Sequence, residues 1–149
     1  MNPLDLLPHR PPMRLLDEIV ELTAGERARG RRLLRADDFF FDGHFPGEPI
    51  VPAIILVEMV AQVGGLAAAA PPPGPDEARE PLRLRVAAFG PFKFPAAAKP
   101  GDELDVEARV AGRLGGLYKI EGEVKASGRI VATGSVTLGS AGAPQRADG

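Results

Sequence analysis

The stretch GHFPGEPIVPAIILVEMVAQ, residues 43–62, holds the side chains whose types and spacing suit proton transfer. His44 stands in a Gly/Pro-rich turn, and Glu58 and Gln62 are the polar residues of an otherwise apolar run from Ala53 to Ala70. Four residues apart, these two lie about 40° from one another on an α-helix and share one face. A carboxyl group buried there either finds partners or keeps its proton through a raised pKa; in the second state it is an acid available at neutral pH. An imidazole takes up a proton near neutrality. Pro52 suits the first turn of a helix, whose leading N–H groups lack partners and carry a partial positive charge fit for a developing oxyanion. A base, an acid and an oxyanion site are the parts needed to remove a proton beside a carbonyl while a β-hydroxyl departs as water. Each part also has a plainer use. A buried Glu–Gln pair can fix a subunit contact or cap a strand, and a turn histidine can simply bond to nearby backbone.

Other chemistries find few residues to work with. The chain has no cysteine, which excludes disulfides, thiolate metal sites and a cysteine nucleophile and fits a reducing compartment. With two histidines, His9 and His44, and no HExxH spacing, no metal site is expected. No glycine-rich phosphate loop is present, so no nucleotide cofactor is expected, and Ser127, Ser135 and Ser140 do not stand in a GxSxG elbow. A net charge of −2 gives no electrostatic case for nucleic acid. MNPLDLLPHRPP lacks the basic start and apolar core of a secretory signal, so the cytoplasm is the expected location.

The elements that position these residues follow from periodicity. At 149 residues, 44% hydrophobic and 26% charged, the chain has the makings of one globular domain, expected over residues 1–139 with a flexible tail at 140–149. MRLLDEIVEL (13–22) and ERARGRRLLR (26–35) read as a strand pair around a turn at Thr23–Gly25. Residues 37–49 read as loop. Residues 53–70 read as a helix about 27 Å long, apolar nearly all round and therefore buried. A membrane span is the rival, opposed by Glu58, Gln62, Gly64 and Gly65. PPPGPDEAREP (71–81) ends the helix. Alternation of period two then predicts strands around 82–86, 104–110, 120–126 and 130–138, with residues 90–103 joining the first two and a tight turn at 127–129. Strands without β-α alternation favour an α+β fold in which one antiparallel sheet curls around one long central helix. A helix apolar on all faces is also more than one such sheet is expected to cover, so a dimer with paired central helices is expected.

The chain resembles the FabZ-type (3R)-hydroxyacyl-[acyl-carrier-protein] dehydratases of the hot-dog fold. LLPHRPPMRLLDEIVEL (6–22), FFDGHFPGEPIVPAIILVEMVAQ (40–62) and FKFPAAAKPGDEL (92–104) carry the resemblance. It implies that His44 and Glu58 are catalytic, with His44 supplied by one protomer and Glu58 by its dimer mate. It implies further that the backbone N–H of Ala53 polarises the thioester carbonyl; Gly43, Phe45 and Gln62, which neighbour these positions, are expected to complete the substrate site. The implied substrate is an acyl chain on the phosphopantetheine arm of acyl carrier protein, and the implied assembly is a homodimer or a trimer of dimers. The family usually has glycine where this chain has Ala53, whose methyl group narrows the approach to that amide. A Glu at position 58, rather than Asp, implies dehydration without isomerisation. Arg27, Arg29, Arg31, Arg32 and Arg35 offer either a basic rim that steers an acidic carrier or a solvated face that blunts a sheet edge. Two other functions fit the fold: an acyl thioesterase, in which the carboxylate activates water, and a non-catalytic acyl-binding scaffold. The thioesterase leaves His44 without a role, and the scaffold has no need of the His44–Glu58 pair.

Overall fold

The computed structural model of the protein describes residues 2–70 and 82–140; the loop expected at 71–81 and positions 141–149 of the expected tail lie outside the described residues. Along the chain run β1 (Glu18–Thr23), β2 (Arg27–Leu33), α1 (Ala53–Ala69), β3 (Leu84–Lys93), β4 (Glu103–Leu114), β5 (Leu117–Ala126) and β6 (Arg129–Ser140), with short 3-10 turns at Pro3–Leu6 and Phe39–Phe41. The strands form one antiparallel sheet in the order β1-β2-β4-β5-β6-β3. This sheet wraps the helix, the arrangement of the hot-dog fold. No helix among the described residues is long and apolar enough to cross a membrane.

The inward faces are the ones that alternation selects. Leu104, Val106 and Ala108 of β4 and Ile120, Val124 and Ala126 of β5 are fully buried under α1. The β5–β6 turn at Ser127–Gly128 has both residues at positive φ, 52° and 79°, as a two-residue hairpin of primed type requires. Just before it the β5–β6 pairing shifts register between Val124 and Lys125, which lets Val131 and Ala132 both turn inward. Two glycines set how closely helix and sheet approach. A Cβ on Gly64 would lie 2.6 Å from Ile120, and one on Gly122 would collide with Val60.

Three expectations change. β1 starts at Glu18 rather than Met13, because the Met13 carbonyl and the Leu15 N–H are taken by the side chain of Gln62 and cannot join a ladder. β3 runs on to Lys93 through Gly90 and Pro91, where its pairing with β6 shifts register. A proline that cannot donate is tolerated there because β3 lies at the sheet edge. One sheet also suffices for the helix: residues Ile55 to Val57 and Met59 to Ala68 are buried within a single protomer.

Candidate active site

His44 is carried by a loop that its own backbone fastens. The His44 N–H donates to Phe41 at 3.1 Å, its carbonyl accepts from Ile50 at 2.9 Å, and Val51 donates to the Ala98 carbonyl at 2.9 Å. Gly43, at φ 74°, makes the left-handed turn that presents the histidine. His44 Nδ1 lies 2.9 Å from the carbonyl oxygen of Ile50. A carbonyl can only accept, so Nδ1 carries the hydrogen, and in the neutral ring Nε2 is left with a free lone pair. Phe45 is 51% exposed and stacks on the His44 ring at 4.1 Å between centroids.

The same loop leads into α1. Pro52 caps the helix without a side-chain bond, and its carbonyl takes the Ile55 N–H at 2.9 Å. The N–H groups of Ala53 and Ile54 have no acceptor among the described residues, and both residues are exposed. They form the donor pair that the start of a helix offers to an anion.

One turn further on, Glu58 sits half-buried beside a groove of about 270 Å³ lined by Leu7, His9, Ala61, Gly65, Leu84 and Leu138, among others. Gln62 orients it. The Gln62 carboxamide donates to Glu58 Oε2 at 2.8 Å and to the Met13 carbonyl at 2.8 Å, while its oxygen accepts from Leu15 at 3.0 Å. Because the Leu15 N–H can only meet an oxygen, the amide has one possible orientation. His9 Nε2 lies 3.3 Å from the same Glu58 oxygen. Burial pushes the Glu58 carboxyl upward, but the hydrogen bonds from His9 and Gln62, and the charge of His9 when protonated, outweigh it and hold the group below its ordinary value. Of the two fates open to a buried carboxyl, this one finds partners and ionises. It does not rest as a proton-bearing acid.

The structure thus brings Glu58 and Gln62 together, and places Gly43, His44 and Phe45 on the loop that feeds the helix start at Ala53. It does not join the two groups: His44 makes no hydrogen bond or ion pair with Glu58 in the protomer. Sequence reasoning missed His9 as a partner of Glu58, since no periodic spacing links the two positions; its only signal was being the second of two histidines. No cluster of potential metal ligands occurs among the described residues. Four of the five arginines of this set are engaged, Arg29 by Glu21 and Asp105, Arg31 by Glu18 and Glu103, Arg32 by Asp38, and Arg35, just beyond β2, by Asp17. That is a charge-paired sheet face, not a free basic rim.

Comparison with known proteins places this geometry among relatives. Residues 7–135 match the model of the FabA-like domain. The 3-hydroxyacyl-[acyl-carrier-protein] dehydratase FabZ of Bacillus velezensis is 34% identical over 90% of this chain and 92% of its own length. That of Caldanaerobacter subterraneus subsp. tengcongensis is 38% identical over 86% and 87%. Among solved structures, the dehydratase heterocomplex ApeI:P from Xenorhabdus doucetiae superposes with a TM-score of 0.73 at 19% identity, covering 98% of this chain and 93% of that one. A hypothetical thioesterase with coenzyme A from Streptococcus pneumoniae superposes with a TM-score of 0.61 at 13% identity, over 86% and 88%. At such identities the superpositions speak for the fold alone.

Proposed function

This chain belongs to the FabA-like domain family and, within it, to the FabZ-type 3-hydroxyacyl-[acyl-carrier-protein] dehydratases, and from that membership we propose the reaction and its residues. The enzyme removes water from a (3R)-3-hydroxyacyl thioester held on acyl carrier protein and yields the trans-2-enoyl thioester, in fatty-acid-type biosynthesis in the cytoplasm. His44 Nε2 takes a proton from C2. Negative charge builds on the thioester oxygen, opposite the Ala53 N–H, with Gly43 and Phe45 shaping the approach. Glu58, oriented by Gln62, takes up a proton before this step and gives it to the C3 hydroxyl, which leaves as water. One exchangeable proton thus starts on Glu58 and one ends on His44, and loss of the latter with reprotonation of Glu58 completes the cycle. In the reverse direction the Glu58 carboxylate accepts a proton from the water adding at C3, and His44 returns one to C2.

One observation carries this reading: an oriented carboxyl group beside an apolar groove, on a chain that also presents a histidine with a free Nε2. Since these groups make no contact within the protomer, the site is assigned to a homodimer, His44 from one copy and Glu58 from the other, with a trimer of dimers as the larger assembly. Hydration starts from the Glu58 carboxylate with His44 protonated, and the lowered pKa of Glu58 favours the first of these, so hydration is the direction to assay. Incubation with a crotonyl thioester is expected to remove enoyl absorbance without releasing thiol. Thiol release would instead support a thioesterase, and no change in either signal a binding protein.

A further inference from the structure

We propose that His9 is a positioning residue: together with Gln62 it pins Oε2 of Glu58, leaving Oε1 as the oxygen that exchanges a proton with the substrate hydroxyl. The inference rests on Glu58 acting as proposed above, and the geometry supplies the rest. Oε2 accepts from Gln62 at 2.8 Å and faces His9 Nε2 at 3.3 Å, whereas Oε1 has no hydrogen-bond partner among the described residues. A carboxylate free to rotate presents either oxygen. Two donors on one oxygen end that equivalence and lower the proton affinity of the oxygen they hold.

Both donors are themselves fixed. Gln62 is held by Met13 and Leu15 from the segment that precedes β1. His9 stands on a turn clamped by Arg10, whose Nη1 donates to the carbonyls of Leu7 and His9 at 2.9 Å each, and Leu7 is 2% exposed. His9 Nδ1 is buried without a partner among the described residues. A hydrogen placed on Nδ1 would find no acceptor, so in the neutral ring the hydrogen sits on Nε2 and points at Glu58. His9 therefore serves as a donor whose tautomer its surroundings select. Among the described residues lining the groove, Arg85 of β3 is the one other charged residue, and Gln62 is neutral. In the proposed dimer, His44 of the partner subunit joins them.

Three chains test this: wild type, His9→Ala and His9→Gln, the last keeping a donor that cannot titrate. In the hydration assay His9→Ala is expected to lose about tenfold to a hundredfold in kcat, the rate equivalent of one hydrogen bond to a charged group, with KM little changed. His9→Gln is expected to recover most of that loss. The acid limb of the pH profile moves to higher pH in His9→Ala, because a carboxylate that has lost a donor binds its proton more tightly. The Glu58 carboxyl carbon, followed by NMR through a pH titration, moves the same way and needs no turnover. An inactive wild type thus defeats the dehydratase reading, while the NMR titration still decides the role of His9. If His9→Ala does not fold, His9→Phe fills the ring's place without a donor. A Glu58 titration that is the same with and without the His9 donor overturns the proposal, whatever happens to the rate.

Discussion

His44 and Glu58 are held in opposite ways, the first by a single backbone carbonyl, the second by two side chains from the chain's first turn and its own helix. His44 is only partly buried and its ring spends one bond on Ile50, so His44→Ala should fold and yet lose about 10²–10⁴ in hydration rate, the usual contribution of a positioned base. Glu58→Gln should lose a comparable factor with an unchanged circular dichroism spectrum; normal turnover would reduce the Glu58–Gln62 pair to a structural contact. Ala53 offers a subtler test. Its N–H has no acceptor among the described residues, and its methyl group narrows the approach to that amide. Ala53→Gly is therefore expected to keep or raise kcat/KM on bulky acyl chains, at a stability cost of up to about 1 kcal/mol. A fall in kcat/KM at constant stability would remove this amide from the oxyanion site. The turn histidine, the lone carboxylate and the helix start were legible in the sequence because each depends on local spacing. The ionised state of Glu58 was not, since burial alone argues for a raised pKa and the donor that reverses it, His9, lies far away along the chain.

At the scale of elements, the helix and the inward faces of β4 and β5 were legible because their side chains are sorted by one surface, apolar toward the partner layer and charged toward water. What local pattern cannot convey is competition for backbone. Met13–Leu15 has the composition of a strand, yet Gln62 takes its donor and acceptor, and the segment becomes the strap that orients Glu58. Nor does alternation reveal where a register shift lets two neighbours, Val131 and Ala132, face inward together. The close seat of α1 on β5 is testable through Gly122. A Cβ there would press on Val60, which is fully buried, and on the Glu107 carbonyl 3.2 Å away, which the β-ladder fixes in place. Gly122→Ala is expected to destabilise the fold by about 1–3 kcal/mol, the range for overpacked cores, as read from the denaturation midpoint at constant m-value. An unchanged midpoint would mean that helix and sheet slide apart freely.

At the scale of the whole molecule, the two edges of the sheet differ. β1 is short, bulged between Ile19 and Glu21, and lined by Glu18 and Glu21 in ion pairs with β2, all features that discourage a further strand. β3 is longer and exposes Val86 at 37% and Phe89 at 60%, so it is the edge suited to meet a second copy. The case for a dimer therefore rests on this edge and on the separation of His44 from Glu58, since the helix is already covered within one protomer. A site shared between copies makes a prediction that no single-chain site shares. His44→Ala and Glu58→Gln, each inactive alone, should restore activity when mixed under conditions that exchange subunits. In a mixed dimer one site receives both substitutions and the other receives neither. Random pairing makes half of the dimers mixed, so recovery should approach about a quarter of the wild-type rate. Phe89→Lys introduced into both chains places like charges at the proposed seam and should prevent the recovery while leaving each chain folded. If the mixture stays inactive despite demonstrated subunit exchange, the catalytic pair does not span two protomers, and His44 must reach Glu58 by rearrangement of its own loop.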